Sequence, residues 1–431
     1  MSETPDLAMI PSGYKEDVLY SAIPNVTKGD FDFARVSEAS RINKEGLIEE
    51  LKDDTPRITW ELSDAGKPSN CPSLILENEV ENLIPNSEDF TQASWTHTGI
   101  DAVANVYTAP DGTFTANTLT LNSSGQRYAY DNVTLVAGED AFFSCFAKAS
   151  NTGWFALALT DFAGPTTDEA IGTFDLINGV VGSTTLSVNV TPELFIEKYP
   201  NGWYRCILKL LNASSSGSWS ARVYASCQGS TILSGAIGDN AIVWGAQVEV
   251  NNYLSTYIAS SGGTTTRSAE TCQDAGDTTI LHSQAGVLYA EIKDHFDDTS
   301  AHVRSISVSD QTANNFVFIG FDATTNNIWG KVQVGGATQA SLYYVTTDRT
   351  EYQKIAILWK ENQVELWVNG EKRDEDLVAS SFPANTLSAC DFDLQAFANY
   401  EFYGYCKDLR VYNVFTMSAT EITALLTEIT S

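Results

Sequence analysis

The chain has 431 residues, 43% of them hydrophobic, enough for two or three domains with substantial cores rather than a small cross-linked scaffold. Its 55 acidic residues outweigh 25 basic ones, giving a formal charge of −30. So negative a surface disfavours nucleic acid and anionic membrane as partners, because such binding draws on phosphate neutralisation by Lys and Arg.

No apolar run approaches the ~18–20 residues of a membrane-spanning helix, so no membrane insertion is expected. The opening "MSETPDLAMIPSGYK" lacks the basic start and apolar core of a secretory signal, so synthesis in the cytoplasm is expected. Seven scattered cysteines (71, 145, 206, 227, 272, 390 and 406) contain no Cys-x-x-Cys and suggest neither a disulfide framework nor a zinc site. Cys145 and Cys206 sit among alternating residues and read as buried thiols. The Asn-x-Ser/Thr triplets at Asn25, Asn122, Asn132, Asn189 and Asn212 read as chance matches in a Ser/Thr/Asn-rich chain.

The first 75 residues differ from the rest and suit an arm or attachment segment, since chain ends are ordered mainly when docked. In "VSEASRINKEGLIEEL" a helix through Val36, Ala39, Ile42 and Leu47 competes with a hairpin turning at Asn43–Gly46. The hairpin is favoured because Gly46 interrupts the helix and the intervening residues make a good turn.

From about residue 114 to 413 apolar residues recur with period two between Gly, Asn, Pro and Asp clusters, the pattern of half-buried strands. "LFIEKYPNGWYRCILKLL" predicts one hairpin turning at Pro200-Asn201-Gly202. "QVELWVNGEKRDE" predicts another, with Asn369-Gly370 suited to the positive φ angles of a tight primed turn. Between these units "STYIASSGGTTTRSAETCQDAGD" reads as a Ser/Thr/Gly-rich linker. At the end, Ser418 and Glu421 form a capping-box pattern, and Ile422, Leu425, Leu426 and Ile429 share one helical face. That face needs cover, either from the last sandwich or from copies of the chain.

The fold class expected is therefore all-β. An N-terminal attachment region (1–75) precedes two β-sandwich (jelly-roll) domains at 76–260 and 284–431, with a linker at 261–283 and a short C-terminal helix.

Two resemblances add to this reading. "ARVSEASRINKEGLIEEL", "TPRITW", "CPSLILENEVENLIPNSEDFTQASW", "TFDLINGVV", "NGWYRCILKL" and "VWGAQVEVNNYLSTYIAS", over about residues 33 to 258, resemble a recurrent architecture of phage tail-fibre and head-fibre proteins. In that family the part from "NLIPNSEDF" onward is a carbohydrate-binding-module-like jelly roll. "AGVLYAEI", "YQKIAILWKENQVELWVNGE" and "GYCKDLRVYNVFTMSATEITALL", over about residues 284 to 430, resemble the concanavalin A-like, laminin-G-type sandwich. Together they imply a non-enzymatic virion surface protein. It would associate with itself, as a trimer, and with other virion proteins through residues 1–75, and would engage host-surface polysaccharide. A purely structural capsid decoration is the alternative, and a glycan hydrolase a weaker one. No cofactor is implied beyond a possible structural calcium.

Glycosidases need two carboxylates held about 5–10 Å apart across a sugar bond. Adjacent Glu88 and Asp89 do not promise that, and a turn or cap role fits them better. Concanavalin A-like glucanases place Glu, Asp and Glu at alternating strand positions, whereas Glu291 and Asp294 fall on opposite faces. His295, Asp297, Asp298 and His302 match no metal-ligand spacing and read as a solvated loop. No catalytic, metal-binding or ligand-binding residue is therefore assigned. Trp95, Trp154, Trp203, Trp244, Trp359 and Trp367 read as core. Trp329 and Tyr343-Tyr344 are less constrained, with core or interface still favoured.

Overall fold

A computed structural model describes residues 3–11, 22–24, 26–161, 168–186, 191–227, 233–296, 302–324 and 326–431. Asn25, Asn189, Asp297 and Asp298 lie outside them. Strands dominate, and nearly all pair antiparallel with neighbours in the chain or across a sandwich. Among the described residues no helix is long and apolar enough to cross a membrane.

The jelly roll stacks two six-stranded sheets. One runs in the order Thr191–Lys198, Tyr204–Leu211, Ala141–Ala149, Asn240–Val250, Ala116–Leu121, Ile100–Tyr107. The other runs Val180–Leu186, Asp168–Asp175, Trp154–Asp161, Gly217–Tyr224, Tyr128–Leu135, Thr96–Thr98. Phe143, Cys145, Phe155, Leu157, Leu208 and Trp219 fill the space between them, as alternating inward residues do in stacked sheets. Cys145 and Cys206 lie directly opposite on paired strands as free, buried thiols. The hairpin expected at Pro200-Asn201-Gly202 is present, with Leu194 opposite Leu208 and Lys198 opposite Tyr204.

The C-terminal sandwich has sheets of eight and five strands. The larger orders Glu371–Asp376, Gln363–Val368, Gln353–Lys360, Ala285–Asp294 and Gly404–Asn413, and then takes in Ser73–Leu76, Ile58–Thr59 and Leu7–Met9. The smaller orders Ala337–Val345, Asn327–Val334, Phe316–Phe321, Arg304–Ser309 and Ala389–Asp391. The Asn369-Gly370 turn has φ of 50° and 82°, as a primed hairpin turn requires. The helix Ala419–Thr430 carries the full capping box at Ser418 and Glu421. It lays Ile422, Leu425 and Leu426 on Val287, Tyr289, Ala356 and Leu358, so the last sandwich itself covers the apolar stripe.

Two expectations are corrected. The first 75 residues do not project as an arm: Leu7, Met9, Ile58 and Leu74 belong to the core of the C-terminal sandwich. Their strands are two to four residues long, too short to leave a period, and two of the three pair with residues more than 300 positions away, Leu7 with Val411 and Leu74 with Cys406, while Ile58 pairs with Leu74. Residues 261–283 are likewise not a free linker. Thr265–Arg267 pairs with Val80–Asn82, and Thr271–Gln273 with Asp32–Ala34. The hairpin Ala39–Ile42/Ile48–Leu51 forms as favoured, with Gly46 at φ 80° and the Asn43 side chain accepting from the backbone of Glu45 and Leu47.

Where these segments meet, five charged side chains are sealed from water. Arg57 Nη1 and Arg267 Nη1 donate to Glu77 Oε2 at 2.7 and 2.6 Å, while Arg35 Nη1 and Arg57 Nε donate to Glu270 Oε1 at 2.9 and 2.8 Å. Burial opposes ionisation of Glu77, but Arg267 and Arg57 overcome it and hold the carboxyl far below the usual range. The cluster ties the N-terminal segment and residues 267–270 to the jelly roll's exit, where Thr256 Oγ1 donates to Glu77 Oε2 at 2.7 Å.

Candidate functional site: an outward aromatic platform

The stretch "FVFIGF" to "ASLYYV" alternates strictly enough to sort its aromatics by face. Val317, Ile319, Phe321, Ile328, Val332 and Leu342 point into the core. Phe316, Phe318, Trp329, Lys331, Ser341 and Tyr343 occupy the opposite face. Register then aligns Gly320, Trp329 and Tyr343 across three strands, and Phe318, Lys331 and Ser341 across the same three.

Trp329 and Tyr343 stack with ring centroids 5.6 Å apart and planes 11° from parallel. Trp329 is half-buried, and Tyr343 is 44% exposed. Phe318 meets the Trp329 ring edge-on at 4.8 Å and fixes it from below. Trp329 Nε1 donates to Ser341 Oγ at 3.0 Å, and the Ser341 hydroxyl donates to the Tyr343 hydroxyl at 3.2 Å. Lys331 Nζ lies 5.3 Å from the Phe316 centroid and 5.9 Å from that of Trp329, and burial lowers its pKa. Among the described residues it has no ion-pair partner. A flat pair of rings beside hydroxyls and an ammonium group presents apolar faces for C–H bonds and polar ends for hydroxyls, the two requirements of a pyranose.

Core or interface was favoured for Trp329 and Tyr343-Tyr344, and the structure divides them. Tyr344 turns inward against the core with the Arg373 guanidinium 4.4 Å over its ring, while Trp329 and Tyr343 face out. The signal was register: only pairing three strands brings residues 318, 329, 331, 341 and 343 together. Of the other tryptophans, Trp95, Trp203, Trp244, Trp359 and Trp367 are buried, and Trp154 is partly buried on the jelly roll's second sheet.

The acidic candidates do not pair as sequence neighbours. Asp89 accepts from Thr91 N at 2.9 Å and Gln92 Nε2 at 2.6 Å, a turn-capping role. Glu88 turns instead toward an opening of about 460 Å³ shared with Glu38, Glu50 and Asp111, under the Ala39–Leu51 hairpin. Burial, Asp111 and Glu50 push it up to about 7, against a 3.2 Å hydrogen bond from the Tyr257 hydroxyl. Those partners come from segments far apart in the chain, and no local motif announced them. A larger opening, about 570 Å³, lies where the jelly roll, the N-terminal segment and the last sandwich meet, lined in part by Glu61, Glu197, Tyr204, Arg205 and Lys293. Within it Glu61 pairs with Lys293, while Arg205, opposite Glu197 on the paired strand, only partly offsets the burial that raises the Glu197 pKa.

Asp294 faces inward, clamped by Arg349 Nη2 at 2.8 Å, whereas Glu291 is on the other face of the same strand. His295 stacks on Tyr253 at 4.4 Å and contacts the Leu76 carbonyl through Nε2 at 2.9 Å, a packing role rather than a loop ligand. Among the described residues no three His, Cys, Asp or Glu side chains are grouped to hold a metal.

The sequence matches no family model and no curated protein. Solved structures similar in fold include the CBM40 of the Ruminococcus gnavus IT-sialidase bound to α2,3-sialyllactose, at 17% identity over 34% of this chain and 85% of that one, with a TM-score of 0.28. Domain 4 of AbnA, a GH43 extracellular arabinanase from Geobacillus stearothermophilus in complex with arabinotriose, is 12% identical over 38% of this chain and 73% of its own, with a TM-score of 0.29. Domains LG4-5 of the mouse laminin α1 chain are 9% identical over 83% of this chain and 92% of theirs, with a TM-score of 0.24. The chain is an all-β protein of sandwich architecture with a short C-terminal helix, and its structural neighbours include carbohydrate-binding and laminin G modules.

Proposed function

We propose that this chain is a non-enzymatic structural protein of a phage particle, a tail or head fibre, that displays its sandwiches on the virion surface for adhesion to host-surface glycans. The observation that carries the adhesive part is the stacked Trp329–Tyr343 pair on an outward sheet face, with Ser341 and Lys331 beside it. The phage assignment rests on the sequence resemblance over residues 33 to 258. Self-association, as a trimer, and contact with other virion proteins through the N-terminal region belong to the same reading. Repeated weak sites on one particle would gain apparent affinity through effective concentration.

A glycan array probed with the full chain and with Trp329→Ala tests it. The reading expects discrete glycan hits for the native chain that Trp329→Ala loses. Equal hits from both would move the site elsewhere on the chain. No hits from either would favour a decoration role without receptor binding. Release of oligosaccharide from any hit would overturn the non-enzymatic assignment.

A further inference from the structure

Residues 392–402 leave the last strand of the five-stranded sheet, cross its outward face and re-enter the core at Phe402. The Ser307 hydroxyl donates to the Asp393 carbonyl and the Ser305 hydroxyl to the Tyr400 carbonyl, each at 2.6 Å. Val303 N donates to the Asn399 carbonyl at 3.0 Å. Leu394 is buried against Phe316 and Phe318, and the Phe397 ring stands 5.9 Å from Phe316. Tyr400 reaches to 6.0 Å from Phe318 and 6.4 Å from Trp329. The segment therefore covers the half of the aromatic surface that adjoins the platform.

Its root is electrostatically costly. Asp391 is fully buried and Asp393 is 9% exposed, yet among the described residues Asp391 Oδ2 and Asp393 Oδ1 have no hydrogen-bond partner. Their other oxygens are engaged: Asp391 Oδ1 accepts from Asp274 N at 2.7 Å and Gln395 Nε2 at 3.5 Å, and Asp393 Oδ2 accepts from Gln273 Nε2. The titratable groups around them are acidic or neutral: Asp274, whose Oδ1 is bonded to Gln311 Nε2, together with Glu401, Tyr403 and the thiols of Cys272 and Cys390. Arg304 lies beyond Tyr403, 6.0 Å from its ring, and pairs at 3.8 Å with Asp294 instead. Among the described residues no cation pairs with either carboxyl. A buried carboxylate without a cation is strongly disfavoured, whereas a buried carboxylic acid loses the charge and gains a donor.

We propose that residues 392–402 are a proton-operated flap over the aromatic platform, closed while Asp391 and Asp393 are protonated and released as they ionise. Its purpose rests on the glycan-binding reading: release bares Phe316 and Phe318 beside Trp329 and lengthens the platform. Burial pushes Asp391 up to about 7 and Asp393 to about 6, from the ordinary 3.8. The closed form thus binds protons that the open form has given up. Closure is fully favoured below the ordinary value and weakens as pH rises through about 6 to 7.

Hydrogen exchange of the amides of residues 393–402 in the full chain, corrected for intrinsic rates, tests the flap without any glycan. We expect protection at least ~tenfold lower at about pH 8 than at about pH 5, and equal protection at both in Asp391→Asn/Asp393→Asn, where the amides mimic the protonated acids. Equal protection in the native chain, or pH dependence surviving in the double variant, would overturn the proposal. So would protection restored at the higher pH by calcium and lost with chelator, which would replace the proton by a cation. Should the double variant not fold, carboxyl carbon chemical shifts of the native chain decide. Titration midpoints above ~5.5 support the flap, and midpoints near ~4 contradict it.

Discussion

Arg57 and Glu270 stand 213 residues apart in sequence, yet they form a two-point ion pair with no solvent exposure on either side chain, Nε meeting Oε1 at 2.8 Å and Nη2 meeting Oε2. Arg57 also reaches Glu77, so one guanidinium joins the N-terminal segment to the start of the jelly roll and to residues 267–270. Removing one member strands a buried charge. Arg57→Met is expected to cost roughly 3–5 kcal/mol in urea unfolding. Combined with Glu270→Gln it should cost less than the sum of the two, because both report on one network. A loss under about 1 kcal/mol, or strict additivity, would show that the cluster is not coupled as its geometry implies.

His295 gives the chain a sensitivity to mild acid. Burial lowers its pKa from 6.5 to about 4, although Glu77 and the Leu76 carbonyl act in the opposite sense. As pH falls, the unfolded chain takes up this proton first, near 6.5, while the folded chain resists until about 4. Stability contributed by the neutral ring is therefore complete above 6.5, declines between 6.5 and 4, and levels off below. His295→Phe should flatten that part of the melting-temperature profile, and the native imidazole should titrate near 4 by NMR. A native midpoint near 6.5 would contradict the enclosed environment.

The C-terminal helix should behave as a packed element of the last sandwich. Leu426 is fully buried between helix and sheet, so Leu426→Ala should cost roughly 2–5 kcal/mol. Ser418→Ala removes half of the capping box and should cost about 1 kcal/mol. Chemical denaturation of both variants separates the two. If Leu426→Ala is as mild as Ser418→Ala, the helix does not dock on the sheet as described.

How much of this was legible follows from the range of each interaction. The hairpins at Asn201-Gly202 and Asn369-Gly370, and the capped helix at Ser418, are local: their turn or cap residues lie within a few positions of the strands or helix they organise. Gly46 decided the Ala39–Leu51 hairpin for the same reason, with its φ of 80°. Nothing local marks Leu7–Met9, Ile58–Thr59 or Ser73–Leu76 as strands of a sheet whose remaining members all begin at or after residue 285. Nor does anything local mark Arg35, Arg57 and Arg267 as partners of Glu77 and Glu270, which lie far from most of them in sequence and meet them only in the fold. At the candidate site, alternation was visible in "NNIWGKVQ" and "ASLYYV", but which face was outward depended on the partner strands and on the loop carrying Phe397 and Tyr400.

The central claim is that the Trp329–Tyr343 face binds glycans. The most direct measurement is calorimetric titration of a glycan identified on the array into the native chain, Trp329→Ala and Trp329→Phe. The account predicts a loss of about tenfold or more, ~1.4 kcal/mol, for Trp329→Ala, with Trp329→Phe in between because a smaller ring still stacks. Affinities within about twofold across all three proteins would contradict it.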